Sequence, residues 1–363
     1  MARARIRCAV LGATGVAGQQ FLVALDGHPD FELVKVAASE RSAGKRYGDA
    51  IRDAGHEKWY CREPLPAAFA ALPVEDASTM SADGLDLVFA AVESDAARVL
   101  EPRFAEKVPV LSTASAFRYE HDVPILIPGV NGDHAKLIDA QKKRRNWRGF
   151  IVPGPNCTTT GMAITLKPLA DAFGLEKVVM TSLQATSGAG RSPGVAALDI
   201  LDNVIPYISK EEEKVERETR KILGRLDGSE GIVPADVSVS CTCTRVPVLD
   251  GHTECVFVAL KSRASVDDAR RALREFAPFG DQRFPSAPAR MIEVLDDPYR
   301  PQPRLDRDAG GGMTTVVGRL REESTLGGAS GVKYVLVSHN TRMGAAKGMV
   351  LLAEWLRDAG HLG

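Results

Sequence analysis

Short apolar segments alternate with amphipathic stretches through the first 150 residues of the chain. The apolar segments that we predict as strands are 6–11, 31–37, 85–91 and 108–111. Helical spacing follows at 19–25 and at 96–105. Strands that alternate with helices build a parallel sheet with helices on both faces. This part of the chain therefore predicts an α/β domain of the Rossmann type.

The pattern changes beyond residue 177. Longer β segments with partial alternation lie at 178–184, 237–244, 251–260, 313–320 and 332–338. They predict a mixed or antiparallel sheet with one covered face. Helical spacing at 265–276 and 344–356 adds two helices. The proline- and arginine-rich stretch 281–308 predicts a long loop with a binding or interface role.

Composition and charge narrow the class of protein. The chain has 363 residues, enough for two domains, and a formal net charge of -1. This balance argues against a nucleic-acid binder or a membrane-surface protein. The basic run 142–145 is interpreted as a solvated helix end. No apolar run is long enough to cross a bilayer.

The six cysteines show no paired metal-ligand spacing. We expect no metal, and a reduced cytoplasmic protein. Cys241 and Cys243 form a C-x-C sequence within a β-like segment. We expect their thiols to point to opposite faces of the sheet.

A glycine-rich loop follows the first strand: Gly12-Ala-Thr14-Gly15-Val16-Ala-Gly18. The first two glycines permit a tight turn and close approach of a pyrophosphate, and Gly18 permits close helix–sheet packing. A plain tight turn is the alternative. Because the loop lies between a strand and a helix, we predict dinucleotide binding here.

The residues after the second strand bear on the choice of cofactor. This strand ends in Ser39-Glu40-Arg41-Ser42, with Lys45 beyond. Hydroxyls and cations suit a 2′-phosphate, for which arginine is the better planar partner. Glu40 is the alternative, because an acidic residue there reads a 2′-hydroxyl. We favour NADP.

The segment 154–161 places Cys157 after an apolar run and a Pro-Gly-Pro turn, and before a helix predicted at 161–173. Backbone N–H groups and the positive end of a helix favour the thiolate, which is the nucleophilic form. The alternative is a buried core cysteine.

Arg245 and His252 flank the short connection between two predicted strands. A hairpin-like connection would bring both to one end of the sheet. Histidine is the usual general acid–base near neutral pH, and arginine binds a carboxylate with two hydrogen bonds. A turn histidine and a surface arginine are the alternative.

Several motifs in order resemble the aspartate-semialdehyde dehydrogenase family, its archaeal and fungal branch more than the common bacterial one. They run nearly end to end: the 12–18 loop, Gly154-Pro-Asn-Cys157-Thr-Thr, Gln184-Ala-Thr-Ser-Gly-Ala-Gly190, Glu211-Glu-Glu-Lys214, Arg245-Val-Pro-Val with Gly251-His252, and Asn340-Thr-Arg-Met-Gly-Ala-Ala346. The resemblance implies a glyceraldehyde-3-phosphate dehydrogenase-like fold. Its dinucleotide-binding domain would span 1–153, completed by a helix within 341–363, and its catalytic and dimerisation domain 154–340.

The resemblance also implies residue roles. Cys157 would be the nucleophile, His252 its acid–base partner, and Gln184 would orient the thioacyl intermediate. The substrate-binding residues would be Arg245 for the carboxylate, Glu211 for the amino group, and Lys214, Arg118 and Asn156 for the phosphate. The cofactor-binding residues would be Gly12, Thr14, Gly15, Val16, Ser39, Arg41, Ser42, Ser187, Gly188, Gly190 and Asn340.

The implied reaction is the reversible NADP-dependent reductive dephosphorylation of L-4-aspartyl phosphate to L-aspartate 4-semialdehyde, on the route to lysine, methionine and threonine. A homodimer or homotetramer is expected. The alternatives are an acyl-CoA reductase, such as a malonyl-CoA reductase, and a non-catalytic NADP-binding regulator. One departure is that Thr113 stands where the family often has asparagine before the phosphate-binding arginine.

Overall fold

The computed structural model describes residues 4–190, 194–228 and 231–363. A parallel six-stranded sheet in the order β5-β2-β1-β6-β7-β8 organises the first part. The strands up to residue 153 are β1 Ile6–Leu11, β2 Phe31–Ala38, β3 Arg52–Asp53, β4 His56–Glu57, β5 Val74–Asp76, β6 Leu87–Ala90, β7 Val110–Ser112 and β8 Ile151–Pro153. The helices are α1 Val16–Leu25, α2 Tyr47–Ala50, α3 Ala67–Ala70, α4 Ser94–Ala105 and α5 Leu137–Arg145. The strand order is that of a Rossmann domain.

A second six-stranded sheet, in the order β12-β9-β13-β16-β15-β14, is mixed. The remaining strands are β9 Leu175–Gln184, β10 Arg225–Asp227, β11 Gly231–Val233, β12 Ser238–Arg245, β13 His252–Leu260, β14 Ile292–Val294, β15 Thr315–Glu322 and β16 Ser330–Ser338. The remaining helices are α6 Cys157–Phe173, α7 Ala197–Ile200, α8 Glu211–Ile222, α9 Val266–Arg274, α10 Pro303–Asp306 and α11 Ala346–Asp358. Short 3-10 turns lie at Gly132–Lys136, Thr186–Ala189 and Ala309–Gly312.

Apolar packing divides the chain between the two sheets. Helices α1 and α11 bury Phe21 and Val350 in the core on one face of the first sheet, and α4 buries Phe104 on the other. Helices α6, α8 and α9 share the core on one face of the second sheet. The last helix thus returns to the first sheet.

Two expectations about the second sheet were wrong. Cys241 and Cys243 both lie in its helix-covered core, because residues two apart on a strand share a face. Strands β12 and β13 do not form a hairpin, because β9 lies between them. Arg245 and His252 still meet at one end of the sheet, since β9 is parallel to β12 and antiparallel to β13.

The prediction of one long loop over 281–308 was also wrong. The segment contains β14, the edge strand of the second sheet, and α10. Its interior is held to α11 by the Ser286 N–H, which donates to the buried carboxylate of Glu354. Strand β14 has only three residues, which are too few to show alternation, and the surrounding proline and arginine residues indicated a loop.

Candidate active site

A cavity of about 660 Å³ lies between the carboxyl edge of the first sheet and one end of the second. Chain segments that follow β6, β7 and β8 line one side, and those near 187–190, 205–214 and 340–345 line the other. Ligands of open α/β sheets bind at this edge, outside the carboxyl ends of the strands. The cavity is thus the candidate active site.

Cys157 is the first residue of α6, at the wall of the cavity. The helix begins there because Asn156 is its N-cap: the side-chain oxygen of Asn156 accepts hydrogen bonds from the N–H groups of Thr158 and Thr159, at 2.9 and 3.2 Å. The helix predicted from the sequence begins four residues later, at Gly161. The difference places the thiol within the first helical turn.

The Cys157 thiol contacts His252, with 3.1 Å between Sγ and Nε2. On the other side of the ring, the backbone N–H of Ala185 donates to Nδ1 at 3.0 Å. A ring nitrogen that accepts a hydrogen bond carries no proton, so the proton of a neutral His252 resides on Nε2. The imidazole therefore presents an N–H donor to the sulfur.

Both groups are neutral near pH 7. Burial, followed by the neighbouring Arg245, lowers the pKa of His252 to about 3. Burial and the Glu211 carboxylate raise the pKa of the Cys157 thiol to about 12, against the opposing effects of Arg245, Arg118 and the Thr158 N–H. The Thr158 N–H at the helix terminus favours the thiolate, but burial raises the pKa by more than this hydrogen bond lowers it.

Strand register brings three predicted residues into one row. Arg245 on β12 is paired with Gln184 on β9, and His252 on β13 stands beside Gln184, one residue beyond the Thr253–Leu183 pair. All three side chains are buried on the helix-covered face of the sheet. Arg245 is further held by its Nη1–H, which donates to the carbonyl of Ala185 at 2.8 Å.

Charged residues face this row from α8 and from the loop after β7. Glu211 and Lys214 lie one helical turn apart, with 3.8 Å between Oε2 and Nζ. The Asn156 amide donates to Glu211 at 2.8 Å. Arg118 is buried at the cavity wall and donates to Glu218 and to the Thr113 carbonyl, at 2.9 and 2.8 Å. Arginine, lysine and glutamate thus line the same cavity as Cys157.

Loop 186–190 and Asn340 lie beside the same pair. Asn340 donates to the Ser187 hydroxyl at 2.8 Å and accepts from the Gly251 N–H at 2.9 Å, which ties this loop to the start of β13. A Cβ on Gly188 would come within 3.0 Å of the Arg245 guanidinium and 3.1 Å of the His252 ring. A side chain there would therefore crowd the site, and glycine allows the backbone to lie close to it. Gly190 also lies at the cavity wall.

The glycine-rich loop supplies the geometry of a dinucleotide site. Gly12 has φ of 72°, and a Cβ on it would lie 2.3 Å from the carbonyl oxygen of Ala91. Gly15 is the N-cap of α1 and makes no side-chain cap, so the first N–H groups of the helix are open to a phosphate. The residues present thus fit a dinucleotide.

The predicted cofactor residues are spread more widely than the catalytic ones. Among them, Val16, Ser187, Gly188, Gly190 and Asn340 line the cavity. Ser39 and Arg41 are exposed beyond the carboxyl end of β2, and Ser42 is half-buried there. Gly12, Thr14 and Gly15 lie between these two groups, around the carboxyl end of β1.

Sequence reasoning missed two parts of the site. Glu218, which binds Arg118, stands seven residues after Glu211 and so on the same face of α8. That spacing could have indicated it. The Ala185 N–H, which sets the His252 tautomer, has no signal in the sequence because it is a backbone group.

Two family models match the chain. The semialdehyde dehydrogenase NAD binding domain matches residues 7–138, and the semialdehyde dehydrogenase dimerisation domain matches residues 166–343. The chain is 46% identical to aspartate-semialdehyde dehydrogenase from Methanothermobacter thermautotrophicus over 97% of this chain and 99% of the relative. It is 42% identical to the enzyme of that name from Candida albicans, over 97% of this chain and 98% of the relative.

Solved structures agree. A crystal structure of aspartate semialdehyde dehydrogenase with NADP from Candida albicans superimposes with a TM-score of 0.86, at 40% identity, over 98% of this chain and 99% of the other. Aspartate semialdehyde dehydrogenase II from Vibrio cholerae, complexed with ASA, gives 0.76 at 27% identity, over 98% and 99%. The predicted fold class and the archaeal and fungal resemblance are confirmed.

Proposed function

The chain belongs to the aspartate-semialdehyde dehydrogenase family, and from this premise we propose that its site interconverts L-4-aspartyl phosphate and L-aspartate 4-semialdehyde with NADP, through a thioester on Cys157. The observation that carries the proposal is the 3.1 Å contact between Cys157 Sγ and His252 Nε2 at a cavity walled by Arg245, Glu211 and Arg118. A nucleophile, a fixed N–H donor and groups of both charges suit an amino-acid acyl phosphate.

The substrate carries one cation and two anionic groups, and the cavity offers partners for each. Arg245 binds the substrate carboxylate, since its guanidinium matches that group with two hydrogen bonds. Glu211 binds the amino group. Arg118 and Lys214 bind the phosphate. Asn156 donates one amide hydrogen to Glu211 and can donate the other to the phosphate.

In the reductive direction, the sulfur of Cys157 attacks the acyl carbon. The bond from that carbon to the phosphate oxygen breaks, and the phosphate leaves with the bonding electrons and takes up the thiol proton. A thioester remains, and covalent catalysis has divided one difficult step into two easier ones. Gln184 lies beside His252 and orients the thioacyl group.

The bound cofactor supplies the hydride that reduces the thioester. Negative charge then develops on the oxygen of the carbon that bears the sulfur, and the His252 Nε2–H donates a hydrogen bond to this oxygen. Its Nδ1 stays an acceptor for the Ala185 N–H, at 3.0 Å. A fixed donor of this kind lowers the energy of the oxyanion without reorganisation of the site. When the carbon–sulfur bond breaks, the aldehyde leaves and the thiolate takes up a proton.

We expect the cofactor to be held along the 12–16 loop, with its 2′-phosphate near Ser39, Arg41 and Ser42, and its nicotinamide near 187–190 and Asn340. Glycines at a strand-to-helix turn support the pyrophosphate position, and the exposed cation and hydroxyls after β2 support NADP over NAD.

The test is oxidation of aspartate semialdehyde by the purified protein, with and without inorganic phosphate, with NADP or NAD. Phosphate-dependent reduction of NADP supports the proposal. Turnover that requires coenzyme A in place of phosphate would identify an acyl-CoA reductase. A protein that binds NADP, turns over neither substrate and forms no acyl adduct on Cys157 would be the non-catalytic regulator.

A second copy of the chain is proposed to cover the outer face of the second sheet. That face is opposite the helices and presents Val179, Leu183, Phe257 and Val335, which are half-buried or exposed. Apolar side chains at the centre of an uncovered sheet favour association. The expected assembly is a homodimer, or a homotetramer built from two dimers.

Light scattering tests the assembly. The wild type should show at least twice the chain mass, and Val179→Lys combined with Val335→Lys should reduce it to one chain. Val99→Lys is the matched control, because Val99 is an exposed valine on α4 of the first domain. A monomeric wild type would refute the proposed dimer.

No helix among the described residues has the length and apolar character needed to span a membrane. All six cysteines are free thiols, and Cys157 is among them. We propose that the protein works in a reducing compartment such as the cytoplasm, because oxidation of Cys157 would stop the reaction.

A further inference from the structure

Glu218 is a fully buried carboxylate on α8 that lies behind the cavity wall. Three donors converge on its two oxygens. Oε1 accepts from Arg118 at 2.9 Å and from the Tyr119 hydroxyl at 3.2 Å, and Oε2 accepts from the backbone N–H of Asn156 at 2.6 Å. One side chain therefore joins the loop after β7 to the residue that precedes Cys157.

The two ends of this link belong to different parts of the site. Arg118 lies at the cavity wall, with its Nε buried and without a protein partner. Of its guanidinium nitrogens, Nη1 is bound by Glu218 and Nη2 by the Thr113 carbonyl. These two bonds fix the plane of the guanidinium, and each terminal nitrogen keeps a second N–H. Asn156 caps the helix on which Cys157 is the first residue.

Lys221, about one turn beyond Glu218 on α8, binds the same loop. The Lys221 ammonium donates to the carbonyl oxygens of Arg118, Glu120 and Val123, at 2.8, 3.0 and 2.7 Å. Glu211, Glu218 and Lys221 thus lie along one face of α8, which holds both the N-cap of α6 and the 118–123 loop. The phosphate side and the nucleophile side of the cavity are held by one helix.

We propose that Glu218 is a positioning residue that holds Arg118 in the orientation needed for inorganic phosphate and fixes it relative to Cys157. This rests on the proposed function, in which Arg118 binds phosphate. Phosphate recognition by arginine depends on the direction of its planar fork, so the carboxylate that sets the plane also sets the affinity. If Glu218 were only a counter-charge to Arg118, its negative charge would weaken phosphate binding, and removing that charge would tighten it.

Glu218→Gln separates the two roles. The amide has one acceptor oxygen for three donors, so Arg118 and the Asn156 N–H cannot both remain bound. We expect the affinity for inorganic phosphate to fall at least tenfold, measured by ³¹P NMR on the NADP-bound enzyme without semialdehyde. The phosphate KM should rise in parallel, kcat should fall severalfold, and the NADP KM should stay within twofold. Unchanged or tighter phosphate binding would overturn the proposal.

Glu213→Gln is the matched control, since it removes the same charge from an exposed position of the same helix. It should change the phosphate affinity less than twofold. A double-mutant cycle tests the route: in an Arg118→Gln background, Glu218→Gln should weaken phosphate binding no further, because directly contacting residues are not additive. Independent, additive losses would show that Glu218 does not act through Arg118.

If Glu218→Gln does not yield folded protein, Glu218→Asp serves instead. It keeps the charge but is one methylene too short to reach both partners, so the phosphate KM should again rise at least threefold. A normal phosphate KM in this variant would overturn the proposal. Phosphate-dependent turnover by the wild type with no effect of either variant refutes the role of Glu218 alone. A wild type without phosphate dependence refutes the proposed function and this role together.

Discussion

The two walls of the cavity are built in different ways. On the side of the second sheet, strand register places Arg245, Gln184 and His252 in one buried row. On the side of the first sheet, the cofactor loop offers mainly backbone N–H groups, and Ser39 and Arg41 beyond it are exposed. Buried side chains in a fixed register have few alternative positions, whereas exposed side chains adjust. Substitutions in the buried row of the second sheet (the sheet wall) should therefore reduce activity far more than those in the cofactor loop and the exposed residues beyond it (the loop wall).

The largest effect is expected at Cys157, where the two walls meet. Cys157→Ala removes the nucleophile, so kcat should fall by at least about 1,000-fold, as for other covalent catalysts. NADP affinity, measured by fluorescence titration, should change little because the cofactor loop is untouched. Near-normal turnover would eliminate Cys157 as the nucleophile.

His252 tests whether the sheet wall supplies a donor or a proton carrier. Loss of one oxyanion donor costs about 100- to 1,000-fold in kcat, which is the expectation for His252→Ala. His252→Gln restores an N–H donor near the position of Nε2 and should recover at least about tenfold of that loss. Equal activities of the two variants across pH 6 to 9 would favour proton transfer by the imidazole.

Arg245→Lys replaces a fork by a point charge on the same wall. The KM for aspartate semialdehyde should rise by about tenfold or more, with a smaller effect on the KM for phosphate. Steady-state kinetics with each substrate varied in turn gives both values. An unchanged kcat/KM for the semialdehyde would remove Arg245 from the substrate carboxylate.

Arg41→Ala probes the loop wall. Loss of an exposed arginine–phosphate contact should raise the NADP KM by about tenfold and leave the NAD KM unchanged, because only NADP carries the 2′-phosphate. Lys45→Ala, a neighbouring exposed cation, is a useful comparison. Equal losses for both cofactors would place Arg41 outside the 2′-phosphate site.

The smallest effect is a pH shift. Burial, followed by the Glu211 carboxylate, raises the pKa of Cys157 to about 12. Since the thiolate is the reactive form, alkylation by iodoacetamide should accelerate with pH from 7 to 10 without a plateau. Glu211→Gln removes one cause of the raised pKa, so alkylation at pH 8 should be faster by a few-fold. Slower alkylation would contradict this electrostatic assignment.

Local sequence patterns predicted the main elements well. The apolar run 6–11 and the later β segments correspond to β1, β9, β12, β13 and β16. Patterns failed where neighbours along the chain are not neighbours in the sheet. The insertion of β9 between β12 and β13 excluded the expected hairpin. A different failure is β14, whose three residues within the supposed loop are too few to show alternation.

The motifs predicted that Cys157, His252, Arg245 and Glu211 lie around one cavity. They did not predict which of these groups are charged. The nearby helix terminus suggested a thiolate at Cys157, but burial of the sulfur and the Glu211 carboxylate favour the thiol. Desolvation depends on everything that surrounds a group, so a local motif cannot supply it.

The sequence by itself determined the alternating pattern of elements and the glycine-rich loop, and it predicted the candidate reactive groups, because each is written in a short run of residues. Only the tertiary structure decided how those groups are held: the Ala185 N–H that fixes the His252 tautomer, and the Glu218 carboxylate that joins Arg118 to Asn156. Both are contacts between segments 60 residues or more apart in the chain. Their geometry exists only once the two sheets and α8 have packed together.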